Sequence, residues 1–166
     1  MVYIDKVNKK IHVVNSGDSR CVMAKAGKVV ELSIDHTPHQ DHEIARILKA
    51  GSKIVRGRVD GGLNLTRSLG DFKYKKKIDL KPEEQAITAN PDVYEYDLAD
   101  DVDFIVMGCD GIWEGKQNQK MIVEIYHEIS LQLGIDEESE NQRGQQEELQ
   151  VKNIDIKSIV KDILLN

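Results

Sequence analysis

Asp103-Phe104-Ile105-Val106-Met107-Gly108-Cys109-Asp110-Gly111 joins a near-continuous apolar run to an acid and a glycine. The run from 102 to 109 reads as a strand lying deep in a sheet, because a strand buried on both faces loses the apolar and polar alternation of a half-exposed one. A carboxylate at the carboxyl end of such a strand is held firmly by packing yet still faces solvent or an ion. That placement suits a hard oxygen ligand for Mg²⁺ or Mn²⁺. Glu114 lies four residues beyond Asp110 and comes within reach if the chain turns into a helix at Trp113.

Upstream, short β-branched runs separated by turn residues predict two consecutive antiparallel hairpins. Residues 2–7 and 11–15 flank Asn8-Lys9-Lys10, and residues 20–25 and 28–33 flank Ala26-Gly27. Between the hairpins lies Asn15-Ser16-Gly17-Asp18-Ser19-Arg20, which puts Asp18 in a tight turn after an apolar strand. Two strand-end acids, Asp18 and Asp110, are thus available to meet at one end of a sheet. Each alone also fits an ordinary turn, since Asp-Gly is common in turns and Asp bonds its own backbone two residues ahead.

A helix is predicted from Thr37, with Pro38 at its first position, Gln40 completing a capping box, Ile44, Ile47 and Leu48 on one face, and Gly51 as its stop. Gly57, Gly61, Gly62, Gly70, Pro82 and Pro91 restrict residues 52–91 to short strands and extended loop. Val93, Tyr94 and Tyr96 mark a further strand. Residues 117–133 carry Ile122, Ile125, Ile129 and Leu133 at helical spacing. Residues 136–149 are rich in Glu and Gln without periodicity and are expected to form a mobile acidic loop, followed by an amphipathic helix over 154–164.

The 166 residues suit one domain, with 40% hydrophobic and 31% charged residues but only 5% aromatic, so aliphatic packing dominates. A net charge of -6 argues against a nucleic-acid backbone as partner, and the one basic run, 73–77, is too short to reverse that. Cys21 and Cys109 sit in apolar runs without a paired metal-ligand spacing, which suits reduced core thiols and an intracellular, cytoplasmic setting with the nucleus also open. No run of about 18 apolar residues or charged leader points to a membrane or to secretion.

The chain resembles the metal-dependent serine/threonine protein phosphatases of the PPM or type 2C family. The matching segments run in order: NSGDSR (15–20), DHTP (35–38), ARILKAGSKI (45–54), LTRSLGDFKYK (65–75), ITANPDV (87–93) and DFIVMGCDGIWE (103–114). LTRSLGDF and CDGIW are the most specific of them. The resemblance implies an α+β fold, a two-sheet antiparallel β-sandwich flanked by helices (α-β-β-α), of which residues 1–166 form a partial domain. By position, Asp110 resembles the carboxylate on the core metal pair, and Asp18 and Glu114 resemble contributors, with Asp110, to a weaker metal site. Residues 35–67 resemble the flap beside the active site.

The implied cofactor is Mg²⁺ or Mn²⁺, dinuclear in the complete domain. The implied chemistry uses a metal-activated water, and no protein nucleophile, on phosphoserine or phosphothreonine in protein substrates. Arg67 is a candidate phosphate contact, although its spacing to Asp71 equally fits a structural ion pair. The chain contains neither the family's Asp-Gly-His-Gly segment nor its late Asp-Asn pair. Little activity is therefore expected of this chain alone, because a hard cation depends on the number and charge of its oxygen ligands.

Other chemistries fit less well. A cysteine-dependent phosphatase needs Arg six residues after its nucleophile, where Gly115 and Gly27 stand here. An aspartyl-phosphate enzyme needs Asp-x-Asp after its strand, whereas Asp101-Val102-Asp103 precedes it. His36, His39 and His42 do not match the i, i+4 histidine pair of zinc hydrolases and read as a solvated helix start. The alternative from another class is a non-catalytic binding or regulatory module on the same fold.

Overall fold

The computed structural model describes residues 1–113 and 117–133. Glu114, the expected loop at 136–149 and the expected helix at 154–164 lie outside the described residues. The elements run β1 (Val2–Asp5), β2 (Lys10–Asn15), β3 (Arg20–Lys25), β4 (Lys28–Glu31), α1 (Asp41–Lys49), β5 (Ile54–Val55), β6 (Arg58–Val59), β7 (Asp92–Asp97), β8 (Val102–Gly108), α2 (Asp110–Trp113) and α3 (Asn118–Leu133). The chain divides after Gly111 into two compact units.

In the first unit, β1-β2-β7 and β4-β3-β8 form two three-stranded antiparallel sheets. Both hairpins form, the second on its expected turn residues, whereas the first turns over residues 6–9, two residues earlier than expected, so that Lys10 belongs to β2. Asp5 ends β1 because its carboxylate accepts the backbone N–H of Val7 and of Asn8, at 3.0 and 2.9 Å. The second hairpin turns on Ala26 and Gly27, both at positive φ, as the twist of a two-residue connection requires.

Period-2 alternation along β2 sends Ile11, Val13 and Asn15 inward. Ile11 and Val13 pack with Cys21 and Met23 of β3 and with Leu32, and Tyr94, Tyr96, Val102 and Ile105 close around them. The two sheets therefore share one core, and the fold is an α+β sandwich, incomplete in this chain. A second, smaller core joins Ile47 of α1 to Val59 and Ile87, with Ile54, Leu63 and Tyr74 against it.

Three local expectations are corrected. Residues 37–40 form a turn, in which the Gln40 N–H donates to the Thr37 carbonyl, and α1 begins only at Asp41. Its inner face is Glu43, Ile47 and Ala50, whereas Leu48 is 55% exposed. The helix does stop at Gly51, whose φ of 81° lets its N–H reach the Leu48 carbonyl. Next, β8 is only half-buried, with β3 as its one strand partner among the described residues. An apolar run marks a strand that can be buried on both faces; it does not supply the second neighbour. Finally, Cys21 is buried but Cys109, just past the end of β8, is exposed.

In the second unit, α3 begins one residue after the expected start and buries Met121 and Ile122. No helix among the described residues is long and apolar enough to cross a membrane.

Candidate functional site

Strand register sets the geometry of the candidate site. Arg20, the first residue of β3, lies opposite Gly108, the last of β8. Asp18 precedes Arg20 by two residues and Asp110 follows Gly108 by two, so both acids leave the second sheet at the same end. The first sheet contributes at that end too, because Asn15 pairs with Asp92 and the chain then crosses through residues 16–19 into β3. Arg20 is clamped there by Asp35 through two hydrogen bonds, Nε to Oδ1 at 3.1 Å and Nη2 to Oδ2 at 2.7 Å.

Asp18 is half-buried and accepts a long hydrogen bond from Asn64 Nδ2, at 3.4 Å. Asp110 is exposed at the start of α2, and its Oδ1 accepts the Gly111 N–H at 2.9 Å. Among the described residues no three His, Cys, Asp or Glu side chains gather into a metal-holding group. In kind, however, the two carboxylates fit a hard divalent cation, which takes anionic oxygens and keeps several waters. Glu114 lies outside the described residues.

Behind this edge runs a chain of buried charges. Glu43 is fully buried on α1, and Arg67 is only 6% exposed. Glu43 Oε1 accepts from Arg67 Nε and Nη2 at 2.9 and 2.7 Å, while its Oε2 meets Arg46 Nη2 at 2.7 Å and the Thr66 hydroxyl. Arg67 Nη1 donates to Asp92 Oδ1 at 2.7 Å and to the Asn90 carbonyl at 3.0 Å. Asp92 Oδ2 meets His36 Nε2 at 3.0 Å, and His36 Nδ1 accepts the Gly17 N–H at 3.1 Å. Because Nδ1 accepts, the ring proton is assigned to Nε2, which donates to Asp92.

Burial raises the affinity of Glu43 for a proton, but hydrogen bonds from Arg46, Arg67 and Thr66 outweigh it and hold its carboxyl at about 2. Asp92 is likewise pushed up by burial and brought down further by His36 and Arg67, again to about 2. Every buried side-chain nitrogen and oxygen among the described residues has a hydrogen-bond partner.

Arg67 is thus an ion-pair residue with partners other than the one its spacing suggested. It bridges Glu43 and Asp92, while Asp71 accepts a hydrogen bond from the Ser68 hydroxyl at 2.7 Å. All its guanidinium nitrogens are engaged inside the protein, which leaves it no free edge for a phosphate. His36 is 1% exposed and joins the chain of charges, whereas His39 and His42 are exposed beside the start of α1, so the reading of a solvated helix start fails for His36 alone. Glu43 and Asp92 were not among the expected site residues, and His36 was expected in solvent; Glu43 alone left a signal, standing four residues before Ile47 on the apolar face of its helix.

Two antiparallel sheets sharing a core agree in fold with solved phosphatase structures. Residues 1–154 match the family described as Protein phosphatase 2C, and the chain belongs to that family. A Probable protein phosphatase 2C 11 from Oryza sativa subsp. japonica is 47% identical over 122 residues, which are 74% of this chain and 34% of that protein. Protein phosphatase 1G from Homo sapiens is 48% identical over 123 residues, 74% of this chain and 22% of that protein. The chain therefore spans about a third or less of the length of these relatives. Among solved structures, a phosphatase from a pathogenic strain of Toxoplasma gondii superposes with a TM-score of 0.67 at 30% identity, covering 81% of this chain and 42% of that one. A Caenorhabditis elegans sex determining protein superposes with a TM-score of 0.65 at 24% identity, covering 76% and 29%, and shares the fold.

Proposed function

We propose that this chain is part of a metal-dependent phosphatase that hydrolyses phosphoserine and phosphothreonine in proteins, with Asp110, Asp18 and Glu114 as ligands for Mg²⁺ or Mn²⁺. The observation that carries the reading is the register of Arg20 opposite Gly108, which brings two acids from separate strands to one sheet end. Family membership supports the same chemistry. When bound, a divalent cation supplies Lewis acidity, making a coordinated water acidic and offsetting charge on phosphoryl oxygens.

The protein's own part is to hold anionic oxygens at the sheet end and to border that end with residues 35–67, in the place of a flap. Asp110 sits at the start of α2, two residues past the end of β8, whereas Asp18 sits in the crossing between β2 and β3. Arg67 contributes by fixing the flap to the first sheet through Glu43 and Asp92. With one core carboxylate of the metal pair present in its 166 residues, the isolated chain holds the cation weakly.

Turnover of a phosphothreonine peptide tests this reading. In the full-length protein with Mn²⁺ we expect turnover that chelation abolishes and that Asp110→Asn lowers by at least about 100-fold, since the ligand is a first requirement of metal catalysis. We expect the 166-residue chain to turn over less than about 1% as fast, for want of ligands. Turnover that survives chelation, or full rates from the isolated chain, contradicts the reading. A full-length protein that binds phosphopeptide without hydrolysing it favours the binding module instead.

A further inference from the structure

The turn bearing Asp18 has no ladder of its own, since residues 16–19 cross from one sheet to the other between β2 and β3. Its fixed point is Gly17, which is buried with φ at 132°. Both polar groups of Gly17 are held by one residue. Its N–H donates to the His36 ring at 3.1 Å, and its carbonyl accepts the His36 backbone N–H at 3.0 Å, as well as the Asn15 side-chain amide at 3.2 Å. A Cβ at Gly17 would lie 3.4 Å from the Arg67 carbonyl, so the turn lies against the backbone of the residue that carries the ion pairs.

We propose that His36 is a positioning residue that clasps Gly17 and thereby fixes the Asp18 carboxylate at the sheet end; this rests on the metal reading above. Asp92 orients the ring, Arg67 orients Asp92, and Glu43 ties Arg67 to α1. The clasp thus connects the flap helix to the metal-binding turn through five successive polar contacts, from Arg46 to Gly17. A ligand carboxylate works only within about 0.5 Å of its productive place, and the residue next to it in sequence inherits any movement of the Gly17 peptide planes. A histidine that merely filled the core would make no such demand on its Nδ1.

Two readouts on the ¹⁵N-labelled chain separate these roles: hydrogen exchange of the Gly17 amide, and paramagnetic broadening by Mn²⁺ of the amides flanking residues 18 and 110. In the native chain Mn²⁺ broadens both sets of amides, and Asp18→Asn raises the concentration required. His36→Leu removes the acceptor, so Gly17 exchange accelerates by about tenfold or more and the Mn²⁺ midpoint rises about tenfold, the loss expected for one buried hydrogen bond. His36→Asn keeps an acceptor where Nδ1 stood and recovers most of both effects. An unchanged Mn²⁺ midpoint in His36→Leu, alongside a raised one in Asp18→Asn, overturns the positioning role and leaves the metal reading standing. An unchanged midpoint in Asp18→Asn overturns both. If His36→Leu does not give a folded spectrum, Asp92→Asn is read the same way, and an unchanged midpoint there overturns the proposal.

Discussion

Arg67 has three guanidinium nitrogens and all of them are committed: Nε and Nη2 to Glu43, and Nη1 to Asp92 and the Asn90 carbonyl. Lysine cannot take its place, because a single ammonium on a flexible stem cannot bridge two carboxylates at a planar fork's spacing. Arg67→Lys is expected to lower stability by about 3 kcal/mol in urea unfolding, the order seen when one partner of a buried ion pair is removed. A loss below about 1 kcal/mol contradicts the network as described. Acid should act on the same residues. Glu43 and Asp92 are held at about 2, below their ordinary 4.5 and 3.8, so the unfolded chain takes up protons before the folded one does. Their contribution is therefore complete above about pH 5 and is lost as the pH falls through 4 toward 2. Urea midpoints measured between pH 6 and 3 should fall steeply for the native chain and less steeply for Glu43→Gln. The charge of Arg67 was legible in the sequence, but its partners were not. Asp71 stood four residues away, whereas Glu43 and Asp92 lie 24 and 25 residues away and meet it only through tertiary folding.

Among the elements, the hairpins were the most legible, because period-2 alternation and turn chemistry are local signals. The second hairpin also carries a correctable cost. Ala26 has φ at 48°, a region where a Cβ is unfavourable by roughly 1–2 kcal/mol. Ala26→Gly should therefore raise stability by about 0.5–1 kcal/mol, after allowing for the entropy glycine adds to the unfolded chain. A thermal midpoint that falls instead would mean that the turn tolerates alanine for a reason its backbone does not reveal. The start of α1 was misplaced by one turn, since Pro38 and Gln40 fit a helix start. Tertiary bonds prevailed: His36 is pinned by Gly17, and its carbonyl accepts the Thr66 N–H at 2.9 Å. Placing Glu43 on the inner face was equally beyond local pattern. An acid at that position is acceptable because Arg46, three residues on in the same helix, and Arg67, 24 residues away, both reach it.

At the scale of the whole molecule, two sheets deliver their loops to one end, and the family resemblance in the sequence anticipated that arrangement. Ordered segments such as LTRSLGDFKYK and DFIVMGCDGIWE carried both the fold and the candidate acids. What they did not carry was the support behind Asp18, which is built from side chains scattered over residues 36–92. Asp110 is placed differently, two residues past the end of β8 and at the start of α2. The most direct measurement of the central claim is a Mn²⁺ titration of the chain, followed by electron paramagnetic resonance, with Asp18→Asn, Asp110→Asn and the double variant compared. If one cation is shared at the sheet end, each single change weakens binding and the double costs clearly less than the two losses added, because contacts to a common ion are coupled. Unchanged affinity in either single variant, or strictly additive losses, would contradict it.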